Sequence, residues 1–183
     1  MRWVVVAAAL LLAPAAFGAA PAAHTFRIAR VVDGDTVYLT NGATIRLVQI
    51  DTPEVYFGVE CWGHQASAET KKLLPVGTAV RLASEPATDK VDSYGRLLRY
   101  VVRARDGLNV NVFLVEHGDA APYFYDGRKG RYAPALTRDA MRARAAHRGL
   151  WGACRGTPVN FDRGVSTGPV TSHLRHETDR VFP

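Results

Sequence analysis

Residues Phe26–Glu54 read FRIARVVDGDTVYLTNGATIRLVQIDTPE, and this stretch decides the fold. Apolar side chains at 26, 28 and 31–32 give Phe26–Val32 the pattern of a strand. Asp33-Gly34-Asp35 interrupts it, and Thr36–Leu39 resumes extended structure. Asn41-Gly42 is a strong hairpin signal and predicts a type I′ turn, which needs positive φ at both central positions. Thr44–Ile50 is β-branched and apolar, as a third strand should be. Pro53 then bars helix at Thr52 and forces a loop. The stretch is a three-strand meander.

Toward the C-terminus the period changes. Gly63–Leu74 fits a helix, stopped by Pro75-Val76-Gly77. Val80–Ser84 and Leu97–Val102 read as two further strands. Asn109 can cap a helix over Val110–His117, with Gly118 in the stop position. Ala133–Arg148 is a third helix, with Leu136, Ala140, Ala143, His147 and Leu150 spaced along one face. Five short strands with helices inserted late predict an α+β class, a small five-stranded barrel with three helices. The segment 156–183 has no periodicity, and its charges cancel. It is expected to be a disordered tail.

Toward the N-terminus, residues 1–23 have the form of a secretory signal. Arg2 gives a positive start, Val4–Leu12 is an apolar run, and Pro14–Ala23 is rich in small residues. The run falls short of the ~20 residues that span a bilayer. An uncleaved anchor is the alternative. The reading places a mature domain at 24–155, working secreted or otherwise outside the cytoplasm.

The whole chain carries a net charge of +6, which becomes +5 when Arg2 leaves with the leader. The excess is concentrated at Arg128, Lys129, Arg131, Arg138, Arg142, Arg144 and Arg148, a patch suited to a polyanion. The two cysteines, Cys61 and Cys154, are an even count in an oxidising setting and predict a disulfide. Two free thiols are the alternative. Two cysteines cannot build a closed zinc site, and no histidine pair has helical ligand spacing.

Three segments hold the chemistry-bearing side chains: Asp33-Gly34-Asp35-Thr36, Arg46 with Asp51-Thr52-Pro53-Glu54, and Asp92-Ser93-Tyr94-Gly95-Arg96. Asp35, Asp51 and the Thr52 carbonyl are hard oxygen donors, suited to Ca²⁺ or Mg²⁺. Each Asp alone could equally be a turn or capping residue. Glu54 is ionised at neutral pH and could take a proton from water. Arg46 lies between Ile45 and Leu47 and points either to solvent or into a polar pocket. Arg46 and Arg96 both carry the fork that matches phosphate oxygens.

The order Asp-Gly-Asp-Thr, Arg, Asp-Thr-Pro-Glu and Asp-x-Tyr-Gly-Arg resembles the staphylococcal nuclease-like (thermonuclease) family. The resemblance runs from about Phe26 to Trp151. It also takes in Asn111, Tyr123-Phe124-Tyr125 and Gly149-Leu150-Trp151. It implies an OB-fold barrel and Ca²⁺-dependent cleavage of DNA and RNA to 3′-phosphate products. It implies Asp35, Asp51 and the Thr52 carbonyl as Ca²⁺ ligands and Glu54 as general base. It implies Arg46 and Arg96 as phosphate clamps, with Tyr94 and Tyr123 lining the nucleotide site. Tyrosine stacks on any base, which suits single-stranded or unstacked nucleic acid. The expected form is a monomer without a membrane span once the signal is removed.

Two departures remove cations near that site. The best-known member has a longer, lysine-rich loop after the Glu, where this chain has Val55-Tyr56-Phe57-Gly58-Val59. Ser93 stands where the family pattern has lysine. A non-catalytic barrel that binds nucleic acid or another anionic polymer is the alternative function, because fold alone does not fix activity.

Overall fold

The computed structural model describes residues 24–56 and 58–168. The expected signal at 1–23 and the end of the expected tail, 169–183, lie outside the described residues. Among the described residues no helix is long and apolar enough to cross a membrane.

The meander forms as its alternation predicts: β1 (Phe26–Val31), β2 (Thr36–Leu39) and β3 (Thr44–Leu47). The β2–β3 turn differs from the type I′ expectation. Gly42 has φ +86, but Asn41 is not among the positive-φ residues. The Gly42 N–H donates to the Leu39 carbonyl, and the Leu39 N–H donates to the Ala43 carbonyl. This is a three-residue loop with a single left-handed position, which only Gly42 has to fill.

The third strand also breaks early. Gln49 takes φ +65, so β3 stops at Leu47 and a separate β4 (Ile50–Asp51) begins. The Gln49 carboxamide holds the break. Its Nε2 donates to the Arg128 carbonyl at 2.6 Å, and its Oε1 accepts the Gly130 N–H at 2.7 Å. β4 pairs with β7 (Ala121–Pro122), aligning Asp51 with Ala121.

β5 (Ala79–Ala83) and β6 (Leu97–Arg103) complete a closed barrel in the order β1-β2-β3-β6-β5. β3 and β6 run parallel, and the other barrel pairs are antiparallel. A closed five-stranded barrel with this order is the OB-fold, in the α+β class. Ile28, Val37, Ile45, Leu47, Val80 and Val101 are fully buried strand residues of its core.

The helices are α1 (Gly63–Leu73), α2 (Val110–His117), α3 (Ala133–Ala145) and α4 (Leu150–Ala153). Asn109 caps α2 by accepting the Val112 N–H, and Gly118 ends it at φ +79, as predicted. α3 is shorter than its periodicity suggests because His147 adopts φ +52. The chain restarts as the single turn α4, a fourth α-helix among the described residues where three were expected. Asn111 is fully buried and fully used: its Oδ1 accepts the Val101 N–H at 2.9 Å, and its Nδ2 donates to the Val48 carbonyl at 2.9 Å. It pins α2 to β6 and to the end of β3, just before the site.

The Cys61–Cys154 disulfide is present, joining residues 93 apart in sequence with Cα atoms 5.8 Å apart. It ties the lead-in to α1 to the end of α4. Residues 156–168, which composition places in an unstructured tail, lie back against the barrel. The Phe161 carbonyl accepts the Phe124 N–H at 2.6 Å, and Val165 is buried. Two isolated apolar anchors leave no periodicity to detect.

Candidate active site

The meander places Asp35 at the turn into β2, Arg46 on β3 and Asp51 at the end of β4. The Cα register pairs Thr36 with Arg46, so Asp35 and Arg46 are neighbours across the sheet. Arg46 Nε lies 3.0 Å from Asp35 Oδ1, and Arg46 Nη2 lies 2.5 Å from Asp51 Oδ1. Its Nη1 donates to the Leu47 and Ile50 carbonyls, both at 2.8 Å. Three of its five N–H groups therefore hydrogen-bond to protein acceptors, and Nε adds an ion pair with Asp35. Of the two orientations open to Arg46, the structure takes the polar pocket.

Thr52 closes the other side. Its N–H and its Oγ1 both donate to Asp35 Oδ2, at 2.9 and 3.0 Å. Asp33 accepts the Asp35 N–H at 3.1 Å and adds a further carboxylate. Glu54 stands at the exposed lip. Its backbone N–H donates to Glu60 Oε2, and its carbonyl accepts the Glu60 N–H.

Four carboxylates thus crowd one guanidinium, and the pKa values of Asp33, Asp51 and Glu54 show it. Burial raises Asp51 from 3.8 to about 7; Arg46 opposes the rise, and Asp35 and Glu54 add to it. Burial and then Asp35 raise Asp33. Burial, Asp35 and Asp33 raise Glu54. Burial works against the Arg46 cation, but Asp35, Asp51, Asp33 and Glu54 outweigh it and raise its pKa. The cluster is short of positive charge.

Among the described residues no three His, Cys, Asp or Glu side chains form a metal-holding group. A hard divalent cation needs fewer side chains when carbonyl oxygens and water complete its shell. Asp35 and Asp51 share one guanidinium, are flanked by Thr52 and lack sulfur or imidazole nearby. This donor set and its charge deficit fit a hard divalent cation such as Ca²⁺ or Mg²⁺.

Arg46 also lines a cleft of about 370 Å³, with Arg96, Tyr94, Tyr123, Tyr125 and Arg128 on its walls. Arg96 is held by Asp92, which accepts its Nε at 2.7 Å and its backbone N–H at 2.9 Å. Its Cζ sits 5.2 Å from the Tyr94 ring centroid, and Tyr94 is 82% exposed. Tyr123 and Tyr125 meet edge to face, with centroids 6.2 Å apart.

The structure therefore brings Asp35, Arg46, Asp51 and Thr52 into direct contact, with Glu54 beside them. It places Arg96, Tyr94 and Tyr123 across the cleft that Arg46 opens onto. The sequence assigned no individual role to Asp33, Tyr125 or Arg128, which the structure adds to this surface. The Asp-Gly-Asp spacing and the Tyr-Phe-Tyr run were signals for the first two. Arg128 was visible only as one charge among seven, and its pairing with Asp89 at 2.9 Å joins distant segments.

Residues 44–153 match the family model described as staphylococcal nuclease homologue. The chain is 38% identical over 107 residues to Endonuclease YhcR of Bacillus subtilis (strain 168), covering 52% of this chain and 8% of that one. It is 33% identical over 128 residues to the SPbeta prophage-derived endonuclease YokF of the same organism, covering 67% and 42%. It is 36% identical over 128 residues to an uncharacterized endonuclease of Escherichia coli, covering 68% and 75%. The chain spans less than half the length of the two Bacillus relatives. With the ordered motifs seated on an OB-fold barrel and the family model spanning most of the domain, the chain belongs to the staphylococcal nuclease homologue family.

Proposed function

We propose that the protein is a secreted, Ca²⁺-dependent phosphodiesterase that hydrolyses DNA and RNA to 3′-phosphate and 5′-hydroxyl products. The observation that carries this is the Asp35–Arg46–Asp51 array at the edge of a cleft walled by Arg96 and tyrosines. Related endonucleases support the reaction class. Asp35, Asp51 and the Thr52 carbonyl would hold the cation, which supplies charge neutralisation to the scissile phosphate.

The side chains divide the remaining work. Glu54, at the exposed lip, takes a proton from the attacking water; its raised pKa brings it nearer the pH at which a base is efficient. Arg96 faces the cleft and offers its fork to the phosphate oxygens as negative charge grows. Arg46 orients both Asp carboxylates and adds positive charge beside the phosphate. Tyr94 and Tyr123 stack on bases without reading them, which favours single-stranded or unstacked substrate. The bond between phosphorus and the 5′ oxygen breaks, leaving the phosphate on the 3′ side.

Incubation of the mature chain with end-labelled single-stranded DNA and RNA tests this. Cleavage with CaCl₂, loss of cleavage in excess chelator and 3′-phosphate ends are the expected results. Undiminished cleavage in chelator would overturn the calcium dependence, and binding without cleavage would favour the non-catalytic module.

A further inference from the structure

The segment Phe161–Gly168 crosses the acidic cluster, and the catalytic reading gives it no role. It is a strap with four attachments. At its start, Phe161 packs edge to face on Phe124, with centroids 6.3 Å apart. In its middle, the Val165 N–H donates to Asp51 Oδ2 at 2.8 Å, across 114 residues of sequence. Next, Ser166 Oγ donates to Glu60 Oε1 at 2.9 Å. At its end, Thr167 Oγ1 donates to the Cys61 carbonyl at 2.7 Å, and the Cys61 N–H donates to the Gly168 carbonyl at 3.0 Å.

The approach to Asp51 is tightly shaped. Gly164 has φ +76, and a Cβ there would lie 2.5 Å from Asp51 Oδ2. Only a glycine lets the backbone come this close. The Val165 side chain is buried in the same core as the barrel strands, which fixes the direction of its N–H. Arg46 holds one oxygen of the Asp51 carboxylate and Val165 holds the other. The disulfide brackets the strap: the chain runs from Cys154 into Phe161, and the far end docks on Cys61, the disulfide partner of Cys154.

We propose that Val165 is a positioning residue for Asp51, and that the disulfide-tethered strap sets the protein's affinity for its cation. This rests on the calcium reading above. A donor that orients a ligating carboxylate changes metal affinity without touching the metal, and losing such a partner typically weakens binding about 10- to 100-fold. The strap also meets Glu60, whose other oxygen accepts the Glu54 N–H. The same contacts therefore tie the Glu54 loop to the strap.

Calorimetric titration of the full mature chain with CaCl₂ tests the proposal. Val165→Pro removes the N–H; Val165→Ala keeps it and trims only the packing. The expected result is a Kd about 10- to 100-fold weaker for Val165→Pro, with Val165→Ala within a few-fold of wild type. Gly164→Ala, which pushes the strap off Asp51, should weaken binding in the same direction and serves if Val165→Pro does not fold. Reduction of the disulfide should also weaken Ca²⁺ binding. An unchanged Kd for both Val165→Pro and Gly164→Ala would overturn the positioning role while leaving the calcium reading intact. Tighter binding in these variants would overturn it too, showing the strap to be a competitor of the cation. Absence of calcium binding by the wild-type chain would overturn the calcium reading and this inference together.

Discussion

Arg46 and Asp35 face each other across the β2–β3 strand pair, at the end away from the turn, 3.0 Å apart, with both side chains almost out of solvent at 13% and 8% exposure. Arg96 and Asp92 pair at 2.7 Å, but Arg96 is 30% exposed. The two arginines carry one proposed role in different surroundings.

Their alanine variants should therefore part company. Arg46→Ala leaves Asp35 and Asp51 buried without a counter-ion and should destabilise the metal-free fold by about 3 kcal/mol or more, as breaking a buried pair does. Arg96→Ala should cost at most about 1 kcal/mol, in the range of exposed pairs. Both should lower kcat by on the order of 10²-fold or more. Urea unfolding beside single-turnover kinetics checks this. Equal stability losses would mean that the Asp35–Arg46–Asp51 array is not a structural unit.

Glu54 joins the loop through its backbone and stands at the exposed lip. Glu54→Gln should therefore keep the wild-type melting temperature and lose about 10²- to 10⁴-fold in kcat. A folded variant with wild-type turnover would remove Glu54 from the chemistry.

Asp51 makes a prediction in pH. Its carboxyl titrates at about 7 in the folded chain, against an ordinary 3.8, chiefly through burial and then Asp35. Between those values the folded chain holds a proton that the unfolded chain has released. The stability this group contributes is present below pH ~4 and is lost as pH rises through ~7. In metal-free buffer, wild-type Tm should fall relative to Asp51→Asn over that window. Added CaCl₂ should flatten the fall at its upper end. A difference in Tm that stays constant from pH 4 to 8 would contradict the shift.

The disulfide closes a loop of 93 residues. In the chain-entropy model a loop of that length contributes at most about 4–5 kcal/mol. Reduction should lower Tm by several degrees or more, followed by scanning calorimetry with and without a phosphine reductant. An unchanged Tm would show the bridge to be mechanically slack.

The meander, both caps of α2 and the ordered site motifs were legible because each rests on local pattern or turn chemistry. The β2–β3 turn was legible as a hairpin but not as a type, since Asn-Gly permits more than one geometry. Gln49 was unreadable: its left-handed backbone is stabilised by Arg128 and Gly130, about 80 residues away. The polar burial of Arg46 was left open by sequence because alternation in a strand does not say which face holds charge. The strap escaped detection for the same reason as Gln49. Its contact with Asp51 is a backbone N–H, which any residue but proline supplies, so no side chain announces it.

The parallel pairing of β3 with β6 has a consequence in time. It aligns Arg46 with Leu98, two residues beyond Arg96. The distance between the two guanidiniums is therefore undefined until the barrel shuts, after α1 and β5 have been threaded between them. Non-local pairing of this kind comes slowly, because a long chain must be gathered first. A partly made or partly unfolded chain would display the acidic cluster without its opposing arginine. Under the proposed function, catalytic competence would arrive in one step with closure, and the cell that makes the protein would be shielded from it for as long as the polypeptide remains open.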